Sequence, residues 1–137
     1  MLRQHARMPL RASKTANNRV TATREEITLM ISFQEFQEVE MKIGKVLSVE
    51  DHPDADKLQI VRVDLGEEDP RTLVAGLKPY YEPDELEGKH IVVVTNLEPT
   101  RLRGIESEGM LLAAQENDDR VIILTVDEPV EPGSAVL

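Results

Sequence analysis

Short apolar runs rich in β-branched residues recur along this chain, and turn-forming residues separate each run from the next. Five runs occur in succession, at residues 39–49, 58–66, 71–76, 90–97 and 110–114. Their length and composition indicate buried strands rather than helices. A further strand at 121–124 and a last turn at 131–134 follow them. The pattern predicts a small all-β barrel.

Two short helical segments are predicted beside the strands. Residues 83–88 have Pro near the start, acidic residues in the first turn and Gly at the end, which is typical of a short helix. Five strands with one short helix between the third and the fourth match the OB-fold, and the last strands form a C-terminal β extension. Phe33 and Phe36 lie three residues apart, so we expect one helical turn before the first strand and both rings in the core.

The apolar phase of the first strand changes at Gly44. Met41 and Ile43 alternate with polar residues before the glycine, whereas Val46 and Val49 follow a shifted phase after it. A change of phase at a glycine inside a strand predicts a bulge or a sharp bend, as at the corner of a barrel.

The segment between the fourth and fifth strands, residues 96–110, concentrates the polar functional groups of the chain. It is predicted to be a loop carrying an amide, two guanidinium groups, a hydroxyl and two glycines: Asn96, Arg101, Arg103, Gly104, Ser107 and Gly109. No nucleophile with a base beside it occurs there, and the chain has no Cys. We therefore expect a site for binding phosphates and base edges, with no enzymatic activity and no cofactor.

A metal site is not expected either. His52 is flanked by Asp51 and Asp54, but Pro53 constrains the turn and no second imidazole lies nearby. His5 and His90 are too distant in the sequence to add ligands.

Charge divides the chain at about residue 29. Residues 1–29 carry six basic and two acidic groups, a net of +4, whereas residues 30–137 carry ten basic and 24 acidic groups, a net of −14. We expect a flexible basic N-terminal tail followed by one folded domain. An acidic domain repels nucleic acid at long range, so binding would depend on a local basic patch or on the tail.

The role of the tail stays open between four alternatives. It is a solvated leader, an arm that binds polyanions, a transit-type peptide, or sequence ahead of a start at Met30. No run approaches the length of about 18 apolar residues that a membrane-spanning helix needs, and the lack of Cys favours a reducing compartment. A cytoplasmic protein without membrane contact is expected.

Five motifs occur in order along residues 31–137: Ile43-Gly44-Lys45-Val46, His52-Pro53-Asp54-Ala55-Asp56-Lys57-Leu58, Leu73-Val74-Ala75-Gly76-Leu77, Asn96-Leu97-Glu98-Pro99, and Arg103-Gly104-Ile105-Glu106-Ser107-Glu108-Gly109-Met110. Together they resemble the tRNA-binding domain of stand-alone tRNA-binding proteins. The same domain is attached to many methionyl-tRNA synthetases and to the endothelial monocyte-activating polypeptide.

The resemblance implies a non-enzymatic OB-fold that binds the outer corner of tRNA by shape. It places the tRNA-binding residues at Asn96, Arg101, Arg103, Ser107 and Met110, with Lys57 and Lys78 as phosphate contacts. It also implies a homodimer, and an aminoacyl-tRNA synthetase as a partner in some members. A related branch is a peptide-binding, secretion-type chaperone of the same fold, but Ser107-Glu108-Gly109-Met110 favours the tRNA branch.

Some local alternatives stay open within the implied site. Met110 is either a core residue or a contact, and Asn96 either binds RNA or hydrogen-bonds the backbone of its own chain. Glu98, Glu106 and Glu108 place carboxylates in and beside the signature, so we expect modest affinity from the domain without its tail.

Overall fold

The computed structural model describes residues 29–137, so the predicted tail at residues 1–29 lies almost entirely outside the described residues. The described residues belong to two compact units. One unit is Val39–Leu137, and the other is described over residues 29–38.

The shorter unit contains the helix α1 (Phe33–Gln37). A capping box starts it, since Ser32 Oγ accepts from the Glu35 N–H at 3.0 Å and the Glu35 carboxylate accepts from the Ser32 N–H at 2.8 Å. The helical turn is therefore present as predicted. The prediction that both rings lie in the core is wrong, because Phe33 is 71% exposed and Phe36 40% exposed. Local capping, and not burial of the rings, accounts for this turn.

The larger unit is built from nine strands and one helix. The strands are β1 (Met41–Asp51), β2 (Gln59–Asp64), β3 (Arg71–Ala75), β4 (His90–Val94), β5 (Thr100–Leu102), β6 (Ile105–Ser107), β7 (Met110–Leu111), β8 (Ala113–Asn117) and β9 (Arg120–Ile123). The helix α2 (Pro83–Leu86) lies between β3 and β4. Five strands form an antiparallel sheet in the order β3-β2-β1-β4-β7. The sheet curls into a nearly closed barrel, which confirms the predicted OB-fold.

The long strand β1 is shared between two neighbours. Its first half pairs with β4 and its second half with β2, and Lys45 takes part in both pairings. The register shifts between Val46 and Ser48, which is the bulge expected from the change of phase. A Cβ at Gly44 would lie 2.6 Å from Val63 Cγ2, so any other residue would force side chains of the neighbouring segment to shift.

Strand β4 is buried on both faces and leads directly into the polar segment. Ile91 and Val93 belong to the main core, whereas Val92 and Val94 belong to a second cluster on the opposite face. Burial on both sides explains why this run is continuously apolar rather than alternating. The end of β4 is thus a rigid base for the residues that follow it.

The C-terminal segment covers the second cluster. The Ile43 N–H donates to the Ser134 carbonyl at 2.9 Å, and the Val136 N–H donates to the Met41 carbonyl at 3.0 Å. This pairing and the β8–β9 hairpin form the predicted C-terminal β extension. The strand predicted at 110–114 is divided at Leu112 into β7 and β8. Over the described part of the chain, no helix has the length and apolar character needed to cross a membrane.

Candidate nucleic-acid interface

The polar segment after β4 contains an ordered hairpin, so the prediction that it is wholly a loop is wrong. Strands β5 and β6 form a two-stranded sheet of their own. The turn between them consists of Arg103 and Gly104, with φ values of +52° and +89°. Two central residues with positive φ are typical of the tight turns that match the twist of a hairpin. Arginine is an uncommon residue in this conformation, which is why the sequence did not indicate the turn.

Two guanidinium groups lie on the exposed part of this hairpin. Arg101 Nη2 donates to the Gly104 carbonyl at 2.7 Å, which orients the side chain along the turn. Arg103 is exposed at the tip. Within residues 29–137 neither arginine forms an ion pair, although Arg101 lies opposite Glu106 in the hairpin register. Both charges are therefore accessible to a phosphate group, which arginine can bind bidentately.

Side chains at the base of the hairpin close the barrel along the edge of β3. The Val74 N–H donates to Ser107 Oγ at 2.9 Å, and the hydroxyl donates to the Gly109 carbonyl at 3.0 Å. The Thr72 N–H donates to Glu108 Oε1 at 2.8 Å, and the Glu108 N–H donates to the Thr72 carbonyl at 2.8 Å. These groups take the place of a neighbouring strand for the β3 backbone.

Ser107 is buried beneath the hairpin. The residue is only 2% exposed, and its hydroxyl both accepts and donates within the chain. These bonds fix the base of the hairpin, and a direct contact of Ser107 with RNA stays a prediction. Glu108 also has a structural contact, because its Oε1 accepts from the Thr72 N–H of β3.

Arg71 is a structural residue of the candidate site that the sequence analysis missed. Its Nη1 donates to the carbonyls of Thr95 at 2.7 Å and Glu108 at 3.0 Å. Its Nε and Nη2 each bind the Glu67 carboxylate at 2.9 Å. Arg71 thereby ties the end of β4 to the base of the hairpin. As the first residue of a predicted strand, it gave no sequence signal of this role.

His52 holds the hairpin from the other side. Its ring is buried and its Nδ1 accepts from the Asp54 N–H at 3.0 Å. Because Nδ1 is an acceptor, Nε2 carries the hydrogen and donates to the Leu102 carbonyl in β5 at 3.1 Å. Both ring nitrogens are thus used in fixing the hairpin. In the portion that the structure describes, no group of three or more His, Cys, Asp or Glu side chains is arranged to hold a metal ion.

The other residues of the predicted site lie in several different elements. Asn96 Oδ1 accepts from the Glu40 N–H at 2.8 Å, so the asparagine does hydrogen-bond its own chain. Met110 is partly buried and packs against the second cluster. Lys78 forms an ion pair with Asp51 at 3.6 Å, while Lys57 is exposed in the turn after His52. The contact of these residues with RNA stays a prediction.

A surface pocket lies between the end of β4 and the base of the hairpin. Its volume is about 520 Å³, and its lining residues are Asn96, Leu97, Glu98, Thr100, Ser107 and Gly109. Gly109 is closely packed, since a Cβ there would lie 3.0 Å from the Val94 carbonyl oxygen and 3.1 Å from Leu73 Cδ2. The lining of the pocket therefore includes one exposed apolar residue, Leu97, together with residues that carry amide, hydroxyl and carboxylate groups.

These features define a class of protein, a small OB barrel that presents an arginine hairpin beside a polar pocket. The chain belongs to the family described as "Putative tRNA binding domain", whose model matches residues 41–135. The resemblance found in the sequence is therefore confirmed.

The chain is similar to a small part of some longer proteins and to nearly the whole of some short ones. The chain is 54% identical over 106 residues to the methionine–tRNA ligase of Pyrococcus furiosus, a match that covers 77% of this chain and 14% of the ligase. The crystal structure of a MetRS-related protein from Pyrococcus horikoshii is 37% identical, with a TM-score of 0.74, and the match covers 80% of this chain and 99% of that one. The chaperone CsaA of Bacillus anthracis is 27% identical with a TM-score of 0.72, covering 80% of this chain and all of CsaA.

Proposed function

We propose that this chain is a non-catalytic tRNA-binding protein whose barrel recognises the outer corner of tRNA by shape. The observation that carries the proposal is the β5–β6 hairpin, which exposes Arg101 and Arg103 on a base fixed by buried hydrogen bonds. A rigid hairpin holds two phosphate-binding groups at a set spacing, so it can select a backbone shape rather than a base sequence.

The charge distribution is consistent with binding at the hairpin. Arg101 and Arg103 form no ion pair within the described residues, whereas Arg71, Lys78 and Arg120 do. The acidity of the surrounding surface disfavours non-specific binding of nucleic acid, because carboxylates repel phosphates. Five other cations of the described residues also form no ion pair, so charge alone does not identify the hairpin: Lys42, Lys45, Lys57, Arg62 and Lys89.

We infer that the protein acts in the cytoplasm, as a homodimer, either free or as an accessory to an aminoacyl-tRNA synthetase. The match to a ligase over 14% of its length supports the accessory role, since the barrel is a small part of that protein. The match to nearly the whole of a MetRS-related protein supports the free form. The homodimer is inferred from the resemblance to stand-alone tRNA-binding proteins.

A peptide-binding chaperone of the same fold is the second candidate function. The match over the whole of the chaperone CsaA favours it, and so do exposed apolar side chains at Leu47, Ile122 and Leu124. Such side chains can contact unfolded segments. A chaperone would bind unfolded peptide at high salt and would show no salt-sensitive binding of tRNA.

Replacement of both Arg101 and Arg103 by Ala tests the tRNA-binding function. Loss of two phosphate contacts should weaken tRNA binding by about 1–3 kcal/mol. It should also reduce the slope of log affinity against log salt by about 1.4–1.8, because each contact releases counterions. Filter binding across a salt series measures both quantities. The fold should survive, since exposed substitutions cost less than about 0.5 kcal/mol.

A matched control is the double replacement of Lys45 and Lys89 by Ala. It removes the same charge from two exposed positions that form no ion pair within the described residues, both beside the start of β4, the end of that strand opposite the hairpin. Equal losses of affinity in the two double variants would indicate a general charge effect. Unchanged tRNA affinity in a folded Arg101/Arg103 variant would refute the hairpin as the binding site.

A further inference from the structure

We propose that the pocket at the base of the hairpin accepts one unpaired guanine of the bound RNA, and that Glu98 binds its Watson–Crick edge. This inference rests on the proposed tRNA-binding function and adds to it a base contact at a particular residue. Glu98 then contributes to RNA binding, although its negative charge by itself would repel the phosphates of RNA.

The structure separates the three carboxylates of the signature by their surroundings. Glu108 accepts from the Thr72 N–H and is part of the barrel closure. Glu106 lies on the hairpin arm opposite Arg101. Glu98 lines the pocket, and within the described residues its carboxylate forms no hydrogen bond or ion pair. Of the three, Glu98 is thus the one placed to meet a group that enters the pocket.

The pocket offers both parts of a nucleobase site. Leu97 is 43% exposed and supplies an apolar surface against which the face of a base can pack. Glu98 and Thr100 supply polar groups at its wall. Pro99 restricts the backbone of the preceding Glu98 to extended conformations, which limits the positions of its carboxylate. Such a combination of apolar surface and few fixed polar groups is typical of sites for small planar ligands.

The chemistry of the carboxylate selects guanine among the four bases. An ionised carboxylate only accepts hydrogen bonds, through two oxygens. The Watson–Crick edge of guanine presents two adjacent donors, N1–H and the N2 amino group, which match those oxygens. Adenine and cytosine present one amino donor beside an acceptor nitrogen, and uracil presents one N–H between two carbonyls. An unpaired base is required, because a paired guanine has already used this edge.

The sign of a charge-removing substitution tests the proposal. Replacement of a carboxylate by an amide on an acidic domain should strengthen binding of a polyanion if the carboxylate acts only through charge. If Glu98 binds a guanine edge, Glu98→Gln should instead weaken tRNA binding. Glu106→Gln is the matched control, since Glu106 is also exposed and also forms no ion pair within the described chain.

Fluorescence anisotropy with labelled tRNA at fixed salt gives the affinities of the full chain and both variants. We expect Glu98→Gln to weaken binding about 5- to 100-fold, the range of one good bidentate contact with a base. Glu106→Gln should leave the affinity unchanged or increase it. Kethoxal, which modifies the N1 and N2 positions of unpaired guanine, gives an independent measurement. The wild-type protein should protect a reactive guanine of tRNA, and Glu98→Gln should restore its modification.

The outcomes separate this inference from the function on which it rests. If wild-type protein binds tRNA but Glu98→Gln binds it as tightly as wild type or more tightly, the guanine contact is refuted and tRNA binding stands. If kethoxal modifies every unpaired guanine of the bound tRNA as in the free tRNA, the inference is refuted as well. If the wild-type protein does not bind tRNA, the proposed function is refuted, and the inference that rests on it is refuted as well.

Discussion

Replacement of Ser107 by Ala separates a positioning role from direct contact with tRNA. The hydroxyl is buried, accepts from the Val74 N–H at 2.9 Å and donates to the Gly109 carbonyl at 3.0 Å. Alanine retains the volume of the side chain apart from the oxygen atom. It removes the hydrogen bond that joins β3 to the hairpin base and the bond to the Gly109 carbonyl within that base.

The expected loss follows from those two bonds. Loss of one partner of a buried hydrogen bond costs about 1–3 kcal/mol, because the remaining partner is left without a hydrogen bond in a place that water does not reach. With two bonds affected, we expect the free energy of unfolding to fall by about 2–4 kcal/mol. That is a large part of the roughly 5–15 kcal/mol that stabilises a typical domain.

Urea unfolding followed by circular dichroism measures this loss, and tRNA titration of the folded variant measures affinity. Ser48→Ala is the control, since Ser48 is an exposed serine of β1 and its replacement should cost less than about 0.5 kcal/mol. We expect Ser107→Ala to lose more stability than the control and less affinity than the Arg101/Arg103 variant. A variant as stable as the control that no longer binds tRNA would refute the positioning role.

Three further predictions concern the hairpin, the tail and the assembly. His52→Ala should lower the free energy of unfolding by about 1–3 kcal/mol and weaken tRNA binding, whereas His90→Ala should do neither. Deletion of residues 1–29 should leave the fold and the dimer intact, lower tRNA affinity at about 0.1 M salt and reduce its salt slope, because a +4 arm contributes phosphate contacts. An unchanged slope would make that segment a passive leader. Sedimentation should give twice the 15.4 kDa chain mass at micromolar concentration, and a monomer that still binds tRNA would refute a dimeric site.

The sequence predicts the barrel well because its strands are determined by local patterns. Apolar β-branched runs and turn residues mark the five strands, and the change of phase at Gly44 marks the bulge in β1. The short helix α2 begins at Pro83 and is followed by Gly88 with a φ of +86°, as its composition indicates. Each of these signals lies within a few residues of the feature that it predicts.

The candidate site is predicted less completely because its key contacts join distant segments. The hydrogen bond from Val74 to Ser107 spans 33 residues, and the bond from His52 to Leu102 spans 50. Sequence alone identifies the serine and the histidine as unusual but does not show that both face inward. The positive φ of Arg103 is likewise imposed by the pairing of β5 with β6. Its exposed side chain is the part that the sequence does indicate.

Titration of the wild-type protein with tRNA, duplex RNA and duplex DNA across a salt series tests the central claim most directly. The proposed function predicts that tRNA binds more tightly than either duplex at every salt concentration, with log affinity falling linearly against log salt. Selection by shape requires this preference to persist when electrostatic attraction is screened. Equal affinity for all three nucleic acids, or no binding of tRNA, would contradict it.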